Sequence, residues 1–210
     1  MQPFISISGP AAPLMAANVD TDVIIRIERL SDFGRDQLAP YAFEAWRFRP
    51  DGAEQPDFVL NQDAFRSAPI LLAGRNFGCG SSREGAVWAL NCIGVRAVIA
   101  PSFGGIFRNN CYQNGTLPVV LPEEVIDGFA AIARTQPEAP FTVDLDRQVV
   151  VPPNGKPVPF EIDALRRRGL MAGQDDLGLT AQYAEQISDF QKRDQVDRPW
   201  VWIDEGLQKN

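Results

Sequence analysis

Apolar residues fall into two patterns along this chain, short unbroken runs and helically spaced stripes, and each predicts a different element. Pro69 to Gly74, Arg96 to Ala100 and Leu117 to Leu121 are brief apolar runs, the pattern of strands buried on both faces. Between them, Ala86, Ala89, Leu90 and Ile93 recur at helical spacing after Ser82. Phe103, Ile106 and Phe107 do so after Ser102, which reads as the helix cap, and Asn114-Gly115 reads as the left-handed stop. Asn76 to Gly80 is a glycine-rich loop. The order strand, loop, helix, strand, helix, strand predicts an α/β fold with a central βαβαβ unit and parallel strands.

The flanks are less regular. Val23 to Ile25 and Phe141 to Val151 read as strands, whereas Thr180 to Lys192 sets Tyr183, Ala184, Ile187 and Phe190 on a helical stripe that reads as core packing. From Pro199 to Asn210 the chain turns polar after Trp200 and Trp202, which either pack on the domain or dock a partner. The length of 210 residues, with no repeat and no low-complexity linker, predicts one domain over 1–210, its core at about 18–190 and a tail over 191–210.

Composition narrows the function. Hydrophobic residues make up 45% and charged residues 22%, which excludes a disordered or fibrous chain. No apolar run approaches the roughly 20 residues needed to cross a bilayer, and Met1 to Gly9 lacks an export signal, so a cytoplasmic location is expected. Twenty basic residues against 27 acidic give a net charge of −7, which argues against nucleic acid and membrane surfaces as partners. Histidine is absent, removing the commonest general base and metal ligand. Cys79, Cys92 and Cys111, spaced by 13 and 19, fit neither a paired zinc motif nor a ferredoxin run, so no metal or cofactor is expected on this chain.

The informative stretch is Gly74-Arg75-Asn76-Phe77-Gly78-Cys79-Gly80-Ser81-Ser82-Arg83-Glu84, with three glycines shortly before a helix start. Free amides and the helix dipole make such a turn a site for carboxylate or phosphate. The spacing matches neither a Walker A loop nor a dinucleotide fingerprint. Ser81 and Glu84 also have the spacing of a capping box, a purely structural reading. Arg83 has the wrong sign for a helix start, which calls for an anion nearby. Between Ser67 and Pro122 the local charge is +3, against −10 on the rest, a cationic focus suited to a small polycarboxylate.

Four segments together resemble one family: Asn18-Val19-Asp20-Thr21-Asp22-Val23-Ile24-Ile25, the loop Gly74 to Leu90, the run Phe103 to Pro118, and Phe160 to Asp163 with Asp175 to Thr180. The likeness, from about Asn18 to Phe190, is to the small subunit of 3-isopropylmalate dehydratase, in the aconitase superfamily. It implies a swivelling β/β/α domain, as in the aconitase C-terminal domain, closing over a large subunit that carries a four-iron four-sulfur cluster. The pair would interconvert 2- and 3-isopropylmalate through isopropylmaleate in leucine biosynthesis. The catalytic serine carries over to Ser81 as base for the substrate C–H, and the substrate-carboxylate arginine to Arg83.

With that role, Ser82 and the amides of Gly78 and Gly80 would orient carboxylate oxygens, with Asn76 as a further donor. Arg108 is either a second carboxylate partner or a structural arginine. Asp20 and Asp22 either orient active-site groups or form an Asx turn. Two departures stand out. The family usually has His after Ser-Ser-Arg-Glu, and this chain has Gly85. Arg26-Ile27-Glu28-Arg29-Leu30 replaces the usual continuation with Pro and a basic residue, in the loop that the resemblance makes the one expected to choose the substrate side chain. Open alternatives are a paralogue for another 2-hydroxy di- or tricarboxylate (citraconate, methylmalate or homoaconitate type), a non-catalytic partner of the large subunit, and a stand-alone anion-binding module.

Overall fold

The computed structural model describes residues 1–202, which divide into two compact units, Met1–Asp175 and a second beginning at Asp176. The first unit opens with strands β1 (Ser6–Gly9) and β2 (Ala11–Leu14) and short helices α1 (Thr21–Ile24), α2 (Ile27–Asp32) and α3 (Glu44–Arg47). Strand and helix then alternate through β3 (Ile70–Ala73), α4 (Glu84–Cys92), β4 (Ala97–Ala100), α5 (Gly105–Gln113), β5 (Leu117–Val120) and α6 (Glu123–Thr135). A hairpin-rich end follows, β6 (Phe141–Asp144), β7 (Val149–Val151), β8 (Val158–Pro159) and α7 (Ala164–Ala172).

The expected βαβαβ unit is present: β3, β4 and β5 pair in parallel, with Ile70 opposite Ala97 and Ala97 opposite Leu117. Beyond the expectation, β2 joins the same sheet alongside β3, giving the order β2-β3-β4-β5. A second, antiparallel sheet runs β1-β6-β7-β8 and contains the expected 141–151 strands. Both faces of the parallel sheet are covered, which is why its strands read as continuous apolar runs. Leu71, Ala73, Val98 and Ala100 face a core with Ala86, Ala89 and Leu90 of α4 and Phe107 of α5. Ile70, Leu72, Ile99 and Val119 face Ile126 and Phe129 of α6 and Phe141, Val143 and Val150 of the antiparallel sheet.

Three local expectations are corrected. Val23 to Ile25 is not a strand, because Asp20 caps α1 through Thr21–Ile24 and buries Ile24 and Ile25 from one helical turn. Ser102 does not cap α5; Gly104 takes that position, and the serine is used elsewhere. The chain divides at Asp175/Asp176, inside the single core expected over 18–190. Residues from Asp176 form α8 (Asp176–Ala181) and α9 (Ala184–Asp197), and the stripe of Tyr183, Ala184, Ile187 and Phe190 is exposed, Phe190 by 54%. The buried residue of α9 is Asp194, whose carboxylate accepts from Arg198 Nε at 2.6 Å and Trp202 Nε1 at 3.1 Å. Trp200 is 76% exposed, and the polar end over 203–210 lies outside the described residues. Among the described residues no helix is long and apolar enough to cross a membrane.

Candidate active site

The glycine-rich loop leaves β3 at the carboxyl edge of the parallel sheet, where open α/β sheets bind ligands. Its shape is held by the segment Asn18–Asp22, which runs beside it. Asn18 N–H donates to Arg75 O at 2.9 Å, Gly78 N–H to Val19 O at 2.8 Å, and Thr21 N–H to Cys79 O at 3.0 Å. Thr21, 1% exposed, also donates its hydroxyl to the Ser81 carbonyl at 2.9 Å. Thus the two motifs far apart in sequence form one structure, and Thr21 fixes the backbone of the candidate serine.

The loop needs glycine at two points, where φ is positive and a Cβ would collide. Gly78 (φ +71°) lies against Phe107, whose Cβ would sit 2.7 Å from any Cβ added there. Gly80 (φ +85°) lies against Asp20, whose Cγ would sit 2.6 Å away. Positive φ without a Cβ is the conformation that costs glycine least. Asn76 is also left-handed at φ +58°; its amide donates to Ser102 Oγ at 2.9 Å and its side chain to Asn18 Oδ1 at 2.9 Å.

The capping-box reading of Ser81 and Glu84 is overturned. Arg83 is the N-cap of α4 and makes no side-chain cap bond, so Ser81 stands two residues outside the helix. Glu84 turns away, its Oε1 accepting from Asn114 Nδ2 at 2.8 Å. Ser81 and Ser82 are exposed, and among the described residues the amides of Gly80, Ser81 and Ser82 and both serine hydroxyls make no hydrogen bond within the protein. A row of unused donors at the start of a nine-residue helix can take an anion. Gly78 contributes no such donor, because Val19 O already takes its N–H; that part of the expectation is corrected.

Arg83 supplies the charge. Its side chain is 13% exposed, and Asp22 pairs with Nη1, which answers the unfavourable cation at the helix start from within the chain. Nη1 is buried, and the pair with Asp22 is the contact recorded for it. Asp20 Oδ1 accepts from Asp22 N–H at 2.7 Å, the Asx turn anticipated as one reading, and so both aspartates act on the site, one through Gly80 and one through Arg83.

Arg108 is not brought to this loop. Its Nε donates to Tyr112 OH at 3.2 Å, and it lines a separate cleft with Leu121, Phe160 and Glu161. The 26–30 segment is the start of α2 rather than a loop. Arg26 pairs with Glu28 at 3.5 Å and Arg29 donates to Glu44 at 2.9 Å while stacking over Tyr41, with its Cζ 4.6 Å from the ring centre. Ile27 is exposed, and Leu30 reaches α4 beside Gly85.

Two supporting residues escape a sequence reading. Asn114 was legible only as a helix stop, yet its side chain joins Glu84, Trp88 Nε1 (3.0 Å) and Arg35 (2.8 Å). Glu44, which holds Arg29 beneath α2, carries no local signal at all. Neither the cysteines nor the acids form a metal centre: among the described residues no three ligating side chains converge, and burial pushes the Cys111 thiol up, opposite to what a thiolate ligand requires. Among the described residues no group of side chains is placed to ligate an iron–sulfur cluster.

The aconitase C-terminal domain model matches residues 1–124, and a model described as LeuD_N matches 129–164. A 3-isopropylmalate dehydratase small subunit of Rhodospirillum centenum is 50% identical over 201 residues, covering 96% of this chain and 99% of that protein. One from Rhodospirillum rubrum is 48% identical, covering 97% and 98%. The crystal structure of 3-isopropylmalate dehydratase (leuD) from Methanocaldococcus jannaschii superposes with a TM-score of 0.65 at 28% identity, covering 88% of this chain and 99% of that one. With relatives at this identity matched over nearly their whole length, and the aconitase C-terminal domain model matching more than half of the chain, the chain belongs to the 3-isopropylmalate dehydratase small-subunit family, within the aconitase superfamily.

Proposed function

We propose that this chain is the substrate-gripping half of a two-subunit hydro-lyase that interconverts 2- and 3-isopropylmalate through isopropylmaleate, in leucine biosynthesis. The observation that carries the reading is the exposed, unbonded Gly80-Ser81-Ser82 stretch beside the Arg83 guanidinium. Ser81 Oγ takes the substrate C–H proton next to the departing hydroxyl and returns it on rehydration. A serine hydroxyl is a weak base, so its alkoxide needs nearby positive charge, supplied here by Arg83, the start of α4 and the free amides. Arg83 and the amides of Gly80 and Ser82 grip the substrate carboxylates, with Asp22 orienting the guanidinium. Departure of the hydroxyl is left to a large subunit, on which the resemblance puts a four-iron four-sulfur cluster.

The test is reconstitution of the purified chain with a large subunit, followed by hydration assays on isopropylmaleate. Turnover by the complex and none by either chain alone is expected; turnover by this chain alone, or none by the complex, overturns the reading. A second reading, another 2-hydroxy acid as substrate, is favoured by Gly85 and the altered 26–30 segment. Faster hydration of citraconate or aconitate than of isopropylmaleate in the same assay would select it.

A further inference from the structure

Asn114 is buried, and both ends of its side-chain amide are fully engaged. Trp88 Nε1 and the Arg35 guanidinium can only donate, so both must face Oδ1, which accepts from them at 3.0 Å and 2.8 Å. Nδ2 is thereby turned to Glu84 Oε1 at 2.8 Å and to the Asn110 carbonyl at 2.9 Å. The amide has one orientation that satisfies all four partners, and in it Glu84 receives a charge-assisted hydrogen bond. The local sequence pulls the other way. In a capping box over Ser81 and Glu84, the serine hydroxyl accepts from the Glu84 N–H while the carboxylate accepts from the Ser81 N–H. Neither N–H has an acceptor among the described residues, so both ends of the box stand open while its carboxylate is engaged elsewhere.

We propose that Asn114 is a positioning residue of the active site, which acts by holding Glu84 away from Ser81 so that neither the serine hydroxyl nor its amide is spent on capping α4. The inference rests on the functional reading given above, in which that hydroxyl takes the substrate proton and the neighbouring amides grip its carboxylates. A closed box would turn Ser81 Oγ into an acceptor for the helix and start α4 directly after Ser81. Arg83, now the N-cap, would then lie inside the first turn. Closure would therefore disturb the base, a carboxylate donor and the guanidinium together. The hold comes from thirty positions further along the chain, at the C-cap of α5, so the end of the second helix keeps the start of the first one open. Trp88 and Arg35 act on the site only by fixing which way the Asn114 amide faces.

The experiment compares Asn114→Asp, Glu84→Ala and the two combined, each reconstituted with the large subunit and assayed on isopropylmaleate. Asn114→Asp keeps the oxygen that Trp88 and Arg35 face and sets a second, anionic oxygen against Glu84, which drives the carboxylate off. KM should rise about tenfold, as for a competent state reduced to about one tenth of the chains, while kcat holds because saturating substrate draws the chain back to the open state. The combined variant has no carboxylate to close the box, so KM should return to that of the unaltered protein although the melting temperature of the free chain stays lowered. Glu84→Ala alone should leave KM unchanged. An unchanged KM in Asn114→Asp, a raised KM that persists in the combined variant, or a KM raised as far by Glu84→Ala overturns the proposal. Should Asn114→Asp not fold, Asn114→Ser, which withdraws the donor without adding charge, is judged by the same outcomes. If the unaltered complex does not turn over isopropylmaleate, the functional reading fails, and the hold on Glu84 is decided by the crystal structure of the free Asn114→Asp chain. A Glu84 carboxylate on the Ser81 N–H upholds it, and a carboxylate still turned away overturns it.

Discussion

The joints between β3 and α4 and between β4 and α5 are built from similar residues, yet only one is open. Each follows a parallel strand, contains a serine and glycines, and delivers the chain into a nine-residue helix. At the first, Gly80, Ser81 and Ser82 keep their donors free and face solvent. At the second, Ser102 Oγ accepts from Asn76 N–H, and Gly104 donates to Phe77 O at 2.9 Å. Gly104 packs so closely on Gly78 that an added Cβ would sit 2.9 Å from the Gly78 carbonyl carbon. The second joint serves as the buttress of the first. A helix start becomes a site when neighbouring chain leaves its donors unused, and local sequence does not decide that.

The sharpest way to test the contrast is Ser81→Ala in the reconstituted enzyme. Turnover should fall about 10²–10⁴-fold, as expected for loss of a positioned base. The melting temperature of the free chain should stay put, because the hydroxyl bonds to nothing among the described residues. A loss of stability without a loss of rate would return Ser81 to a structural role.

Next comes a pair of glycine substitutions. Gly80→Ala forces a Cβ into φ +85° and against Asp20, and should cost about 1–3 kcal/mol by denaturant titration. Gly105→Ala, with nothing within 4 Å and an ordinary helical position, should be neutral or stabilising. Equal effects at the two sites would erase the distinction between the joints.

Arg83→Lys keeps the charge but loses the planar fork, so KM should rise about tenfold. Arg83→Gln also breaks the pair with Asp22, which is 52% exposed, and the free chain should lose only about 0.5–1 kcal/mol. The smallest effect belongs to the buttress: Ser102→Ala removes the acceptor for Asn76 N–H and should lower stability by about 1 kcal/mol, with kcat reduced less than by any change at Ser81.

The sequence by itself determined the central βαβαβ unit, because strands buried on both faces leave continuous apolar runs and α4 leaves its stripe of Ala86, Ala89 and Leu90. It also brought Ser81 and Arg83 forward, through glycine spacing and the misplaced charge at a helix start. Other features had no local trace. Asp22 meets Arg83 and Thr21 meets the Ser81 carbonyl across about sixty positions of chain. Leu30 packs against Gly85, and Asn114 draws Glu84 out of a capping box that its spacing with Ser81 favoured. The stripe on α9 misled for a related reason: periodicity shows which side of a helix is apolar, and only the fold decides whether anything covers it. Short-range propensity sets elements, whereas the satisfaction of donors, charges and space depends on residues that folding alone makes neighbours.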